Sequence, residues 1–312
     1  MPALPALSAI LITPDSFESI RKVVRHLTKQ EVCNQIELIL VAPSRERLLL
    51  NPDDVTAFHS VQVVEVGVLD ATPKGRAAGV RAAKAPVVVF VEDHVFPCHG
   101  WATALIEAHR QPWAAVGPTL KNANPQTITS WVNFLIEYSE WFNIPTARSV
   151  SHLPGHNCSY KREVLLDYGD QLERFLDAES ILHWDLHRRG FQLYLEPKAQ
   201  ILHLNFAVVG ASIPLRFYGG RLFAAARTKT MSPLHRGLYF ILAPLIPLVR
   251  FLKICRFLKD SGNLSQFSIS VFPAMAMLLW VDGFGEMIGY GFGPGQANPI
   301  LADLEFNRHR FM

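Results

Sequence analysis

Four short runs of unbroken apolar residue, spaced by helical segments, open the chain. SAILIT (Ser8 to Thr13) reads as a buried strand, and Ile20, Val23, Val24 and Leu27 behind it fall at helical spacing. Asp15 and Glu18 have the D-x-x-E spacing of a capping box for that helix. IELILV (Ile36 to Val41) and VQVVEV (Val61 to Val66) are the next strands. GRAAGVRAAKA (Gly75 to Ala85) is an alanine-rich helix, and VVVFV (Val87 to Val91) is the fourth strand. Continuous apolar strands alternating with helices predict an α/β fold with a mostly parallel sheet. In such sheets ligands bind beyond the carboxyl ends of the strands. Glu92, Asp93 and His94 stand at such an end.

Further on, Trp101 to His109 and Thr127 to Trp141 read as helices, the second rich in aromatic residues. GHNCSYKREVLLDYG (Gly155 to Gly169) reads as a loop, a short strand and a helix. Phe175 to Gly190 is a helix closed by glycine, and Phe191 to Leu204 is extended. The tail changes character. Gly237 to Val249 holds no charge, but as a helix it would be about 20 Å long, short of a ~30 Å hydrocarbon core. Pro244 and Pro247 interrupt it. Phe267 to Val281 is again uncharged, and a glycine-rich run with Asp282 and Glu286 follows. These are membrane-surface or re-entrant segments, with a helical hairpin on the protein's own core as the alternative.

Charge sharpens this. The net charge is only +3, which does not suggest a nucleic-acid partner. Yet Pro197 to Lys259 holds ten Lys or Arg and no Asp or Glu. Such a stretch suits phosphate groups or an anionic membrane surface. The four cysteines are scattered without C-x-x-C spacing, so a thiolate zinc site is not expected and a reducing cytoplasm fits. The N-terminus has no basic region or cleavage site of a signal peptide.

ILITPDSFESIRKVVRHL, GRAAGVRAAKAPVVVFVEDHVFP, GHNCSYKREVL and AESILHWDLHRRGFQLYLEPKAQILH, in this order, resemble a family-2 glycosyltransferase of the GT-A fold over residues 8 to 205. The resemblance implies a Rossmann-like GT-A domain at 1–205, and the charge and apolar runs beyond it give a basic connector at 206–236 and a hydrophobic membrane-associated region at 237–312. The resemblance implies inverting transfer of a sugar from a nucleotide-sugar donor to an acceptor hydroxyl, and the basic, apolar tail points to an acceptor on a lipid or a cell-envelope glycan at the cytoplasmic membrane face. A catalytically inactive GT-A-like scaffold is the alternative, because the sequence departs from the family: Glu92-Asp93-His94 stands for the usual D-x-D, and Ala178-Glu179 for the usual acid pair. A sugar-nucleotide pyrophosphorylase lacks support, since ITPDSFES carries neither a glycine-rich loop nor a signature lysine.

The resemblance also assigns roles. Glu92, His94 and His203 would hold Mn²⁺ or Mg²⁺, which stabilises a departing diphosphate. Asp93 would contact ribose or the metal. Glu179, or else Asp177, would be the base that deprotonates the acceptor, unless Glu179 only complements the helix dipole. Glu179, His183 and His187 repeat at four-residue spacing, and a solvated helix face explains them better than zinc. Asp15 would meet the nucleotide base or cap its helix. Arg76, rather than Arg81, would reach the diphosphate. His156 and Asn157 would line the acceptor side, or form a turn. Trp101 would pack under the sugar pocket or fill core. Arg216, Arg221 and Arg227 would close over the donor phosphates or attract lipid.

Overall fold

The computed structural model describes residues 4–69, 72–155, 157–177, 179–228 and 231–312. Its elements run β1 (Leu7–Ile12), α1 (Phe17–Thr28), β2 (Ile36–Ala42), α2 (Arg45–Leu48), β3 (Ser60–Glu65), α3 (Thr72–Ala82), β4 (Val87–Val91), β5 (Val95–Pro97), α4 (Trp101–Ala108) and β6 (Ala115–Asn122). Then come α5 (Ile128–Tyr138), β7 (Arg148–Val150), β8 (Ser159–Lys161), α6 (Arg162–Leu166), α7 (Leu172–Phe175), α8 (Glu179–Arg188) and β9 (Leu193–His203). The rest is helical: α9 (Val209–Thr228), α10 (Pro233–Leu242), α11 (Ile246–Asp260), α12 (Val271–Phe292) and α13 (Ala297–Phe306). The chain forms two compact units, residues 1–121 with 143–203, and residues 122–142 with 204–312.

In the first unit the described strands form one sheet in the order β3-β2-β1-β4-β8-β6-β9-β5, with β7 beside β9. β1 to β4 pair in parallel, as the apolar runs predict. β8, β5 and β7 pair antiparallel to their neighbours. The residues of β2 and β4 are buried throughout, so these strands have no polar face. The alanine and glycine of α3 have a packing cause. A Cβ on Gly79 would stand 2.5 Å from the Ile10 Cγ2 of β1, and one on Gly75 would stand 3.1 Å from Ile12. Only a helix with a smooth face can lie so close to the sheet.

The expected capping box does not form. α1 begins at Phe17 with Ser16 at its N-cap, and no side chain caps it. Asp15 is exposed, and its own amide donates to Thr13 Oγ1 at 3.1 Å. Gly190 does end its helix as predicted, with φ +85°.

In the second unit α12 is the central helix, packed by α5, α9, α10 and α11. The glycine-rich run after Val281 continues this helix instead of leaving it. Its glycines sit where other backbones pass. A Cβ on Gly285 would stand 2.0 Å from the Phe217 carbonyl oxygen, and one on Gly289 would stand 2.3 Å from that of Arg221. The small residues allow α9 and α12 to touch backbone to backbone, as in small-x-x-x-small helix pairs. Pro244 and Pro247 fall at the 3₁₀ turn Ala243–Leu245 and the start of α11, where a missing N–H costs little.

Candidate functional site

Glu92 and Asp93 leave β4 at its carboxyl end. His94 precedes β5, whose Val95 is paired with His203 across the β5–β9 ladder. That register brings together two histidines more than a hundred residues apart in the chain. Their rings meet edge to face with centroids 4.8 Å apart. Glu92 Oε2 lies 3.5 Å from His94 Nε2 and 4.0 Å from His203 Nε2. One ligand atom from each of the three residues falls within 4.8 Å of the others. Both imidazoles are buried.

Two neighbours orient this cluster. His94 Nδ1 lies 2.7 Å from Asp93 Oδ1. A carboxylate only accepts, so Nδ1–H donates to it and Nε2 is the ring nitrogen that faces Glu92. That Nε2 is buried and has no hydrogen-bond partner. Asn157, itself buried, donates from Nδ2 to Glu92 Oε2 at 2.8 Å and accepts from the Glu92 amide at 3.3 Å. A buried imidazole nitrogen without a hydrogen bond beside a carboxylate and a second imidazole, with His94 and Glu92 each held from behind, is the arrangement of metal ligands with their outer partners. Adjacent ligands of an octahedral ion at ~2.1 Å stand about 3 Å apart, so the 3.5 and 4.0 Å spacings to Glu92, and the 4.8 Å within which all three ligand atoms fall, would contract on a bound cation.

The second group centres on Glu179, the first residue of α8. Its carboxylate is buried and paired with the Arg76 guanidinium from α3, which is also buried. Arg76 Nη1 lies 3.5 Å from the Leu176 carbonyl oxygen, and its guanidinium stands over the Phe90 ring at 5.6 Å. Gly155 borders the carboxylate, because a Cβ there would come within 3.2 Å of Glu179 Oε2. The Gly155–Asn157 loop therefore borders Glu179 at one end and holds Glu92 at the other. His156 between them lies outside the described residues, as does Ala178.

The remaining candidates fall elsewhere. Asp15 is exposed just beyond the end of β1. Asp177 is exposed ahead of α8. Trp101 is 1% exposed in the first turn of α4, with an unpartnered indole Nε1. Arg81 lies 3.3 Å from the Gly169 carbonyl. Arg221 belongs to the second unit and donates from Nε to the Gly293 carbonyl at 2.8 Å. Arg216 pairs with Glu137 at 2.7 Å, and Arg227 donates to the Tyr290 hydroxyl at 2.7 Å.

The Glu179/His183/His187 stripe is not a solvated face. Glu179 and His183 are buried and only His187 is exposed. His183 Nε2 meets the Tyr160 hydroxyl at 2.9 Å, and burial pushes its pKa down to about 4. It packs in the core beside the site as a neutral ring. Two pairings had no signature in the sequence, Asn157 with Glu92 and Arg76 with Glu179. Each joins segments 65 or more residues apart, and neither spacing repeats a known motif.

No family model matches the chain, and no curated protein matches it. Among solved structures it is similar to GalNAc-T7 with UDP, GalNAc and Mn²⁺, at 12% identity and a TM-score of 0.48, over 66% of this chain and 44% of that one. It is also similar to the mannosyltransferase PcManGT from Pyrobaculum calidifontis in complex with GDP-Man and Mn²⁺, at 13% identity and a TM-score of 0.54. This second likeness covers 97% of the chain and 87% of that structure. It extends over both units, and with the mixed sheet and its flanking helices it shows that the chain has the GT-A fold of glycosyltransferases.

Proposed function

We propose that the protein is a metal-dependent, inverting glycosyltransferase that moves a sugar from a nucleotide-sugar donor to an acceptor hydroxyl. The observation that carries this reading is the Glu92–His94–His203 cluster with its orphaned His94 Nε2, at the carboxyl end of β4 in a GT-A sheet. Glu92, His94 and His203 would hold the cation, with Asp93 fixing the His94 tautomer and Asn157 fixing the Glu92 carboxylate. Two imidazoles and one carboxylate suit Mn²⁺ better than Mg²⁺, which favours oxygen ligands and near-ideal octahedral geometry. When bound, the cation supplies Lewis-acid neutralisation of the departing diphosphate.

Glu179 is the proposed base. It accepts the proton of the acceptor hydroxyl as that oxygen attacks the anomeric carbon from the face opposite the leaving group. Arg76 positions the carboxylate through its ion pair, so the proposed proton acceptor is oriented before substrate arrives. Gly155 leaves room beside that carboxylate where a larger residue would crowd it. Asp15, exposed past β1, would meet the nucleoside. The acceptor is a lipid-linked or membrane-proximal glycan, and the second unit holds the protein to the membrane. Supporting this are two described helical runs, Pro233–Asp260 and Val271–Phe292, each long and apolar enough to cross a bilayer.

The test is release of nucleoside diphosphate from UDP-, GDP- and dTDP-sugars with Mn²⁺. The wild type is expected to cleave one donor class. Glu179→Gln should lose at least a hundredfold in rate while still binding that nucleotide. Undiminished release in Glu179→Gln would remove it as the base. Absence of both release and binding for every donor would reject the enzymatic reading.

A further inference from the structure

The two apolar runs of the second unit present a regular outer face. Along α10 and α11, Leu234, Leu238, Ile241, Leu245, Leu248 and Leu252 are all exposed, the least of them 49% and the most 82%. Their spacing alternates four and three residues, so they form one stripe that runs through the proline turn without changing sides. On α12, Met277, Trp280 and Phe284 repeat the same spacing and are 48–55% exposed. Soluble surfaces rarely leave so many large apolar side chains in a row without a partner.

The rim of this face is cationic. Beyond Leu252 the stripe ends in Lys259 and in Arg256, both exposed, with Asp260 3.5 Å from Arg256; at the other end lies exposed Arg236, which also donates to the Tyr290 and Gly291 carbonyls. No acid occurs from Pro197 to Lys259. A protein partner would need a matching acidic frame around an apolar centre. A bilayer with anionic headgroups supplies both at once.

The opposite sides of the same helices decide how deep they go. α12 is backed by α9 and α5, and α13 packs on α9. These carry charge: Arg216, Arg221 and Arg227 on α9, Glu137 on α5, and Asp303 and Glu305 on α13. A hairpin that crossed the bilayer would draw them toward hydrocarbon, which is costly for charges even when some, such as Arg216 and Glu137, are paired. A hairpin lying flat leaves them in water. The inner charges of the pair, Asp282 and Glu286, already meet Arg250 at 2.7 and 3.4 Å.

We infer that α10, α11 and α12 lie in the plane of an anionic membrane, with the Leu234–Leu252 stripe and Met277, Trp280 and Phe284 sunk into the headgroup–acyl boundary, and that they do not cross it. This builds on the membrane association proposed above and is independent of the donor chemistry.

The test places a single fluorophore on the full-length protein in a Cys98→Ser/Cys255→Ser background, where Cys33 and Cys158 are buried. Leu234→Cys, Ile241→Cys, Leu248→Cys and Leu252→Cys are labelled in turn. Each is mixed with phosphatidylcholine/phosphatidylglycerol vesicles that carry nitroxides at a shallow or a deep acyl position. The expected result is quenching at all four sites, stronger from the shallow nitroxide, with the same shallow-to-deep ratio within about twofold. Binding to vesicles of phosphatidylcholine alone should be at least tenfold weaker, as ~1 kcal/mol per rim cation implies. Deep quenching at Ile241 and Leu248 with shallow quenching at Leu234 and Leu252 would mean a crossing hairpin and overturn the inference. Lack of quenching at every site would remove the membrane association itself, and a doubled mass in solution would assign the face to a second copy.

Discussion

Two clusters of buried ionisable groups lie in the two units, and they are built on opposite principles. In the second unit Arg250 sits between Asp282 and Glu286, and burial together with the Asp282 charge pushes Glu286 up to about 7, so that one cation faces one full and one partly protonated acid. In the first unit Glu92, His94 and His203 face each other with one imidazole nitrogen left over. A closed set of charges serves the fold, because each buried group has its partner. An open set costs stability until something fills it. Burial of charge alone therefore does not mark a site. An unfilled valence among side chains that can share one metal ion does.

The largest effect that would break this contrast is expected at Glu179. Its replacement by Gln should cut turnover by 10²–10⁴-fold, the usual contribution of a general base. Steady-state rates at saturating donor would show it, and a loss of less than tenfold would leave Glu179 as a mere partner of Arg76.

Acid stability sharpens the contrast from a third kind of group, the buried neutral histidine. Burial pushes His183 down to about 4 and His109 to about 3. Both fall below the value of about 6.5 expected in the unfolded chain. The unfolded state therefore binds protons first as pH falls, and stability drops from about pH 6.5 downward. Each histidine should remove about 2 kcal/mol by pH 5. Urea midpoints measured at pH 7, 6 and 5 would follow the loss. A His183→Leu variant should be less stable at pH 7 yet flatter with pH, and an unchanged slope would contradict the assignment.

Arg250→Met opens the closed set. It should cost about 2 kcal/mol, below the 3–5 of a fully buried pair because the guanidinium side chain keeps 33% of its exposure. Nucleotide affinity should not move. Thermal unfolding and a nucleotide titration on the same sample would separate the two. The smallest effect is expected at Asp93. Asp93→Asn keeps the shape but no longer holds the His94 tautomer as firmly, and Mn²⁺ affinity should fall about tenfold. Titration of the Mn²⁺ paramagnetic signal would read it directly.

The parallel half of the sheet was legible because β1, β2 and β4 are continuous apolar runs, and nothing but a sheet buried on both faces accounts for them. Glu92 and His94 were legible as candidates because they interrupt such a run at its end. Other parts gave weaker signals. AVGPTLKN carries a glycine and a proline inside β6, and β7 is three residues long, so neither shows a strand period. α9 contains Pro214 and two adjacent glycines, which read as a connector, yet one of them, Gly220, lets it lie against α12, where a Cβ would stand 2.3 Å from the Asp282 carbonyl oxygen. The same logic hid the second half of α12, where glycines chosen for close approach depress helix propensity. The meeting of His94 with His203 depends on the β5–β9 register, and that of Arg76 with Glu179 on the packing of α3 against the α7–α8 region. Pairings of this kind exist only in the folded chain.

The account rests on the open set at the end of β4 being a metal site that binds the donor. The most direct test is calorimetric titration of UDP, GDP and dTDP into the wild type with Mn²⁺, again with chelator, and again into His94→Ala. The account predicts that one nucleotide binds with Mn²⁺, and that chelator or the substitution abolishes the binding. Nucleotide binding that survives both chelator and His94→Ala would contradict it.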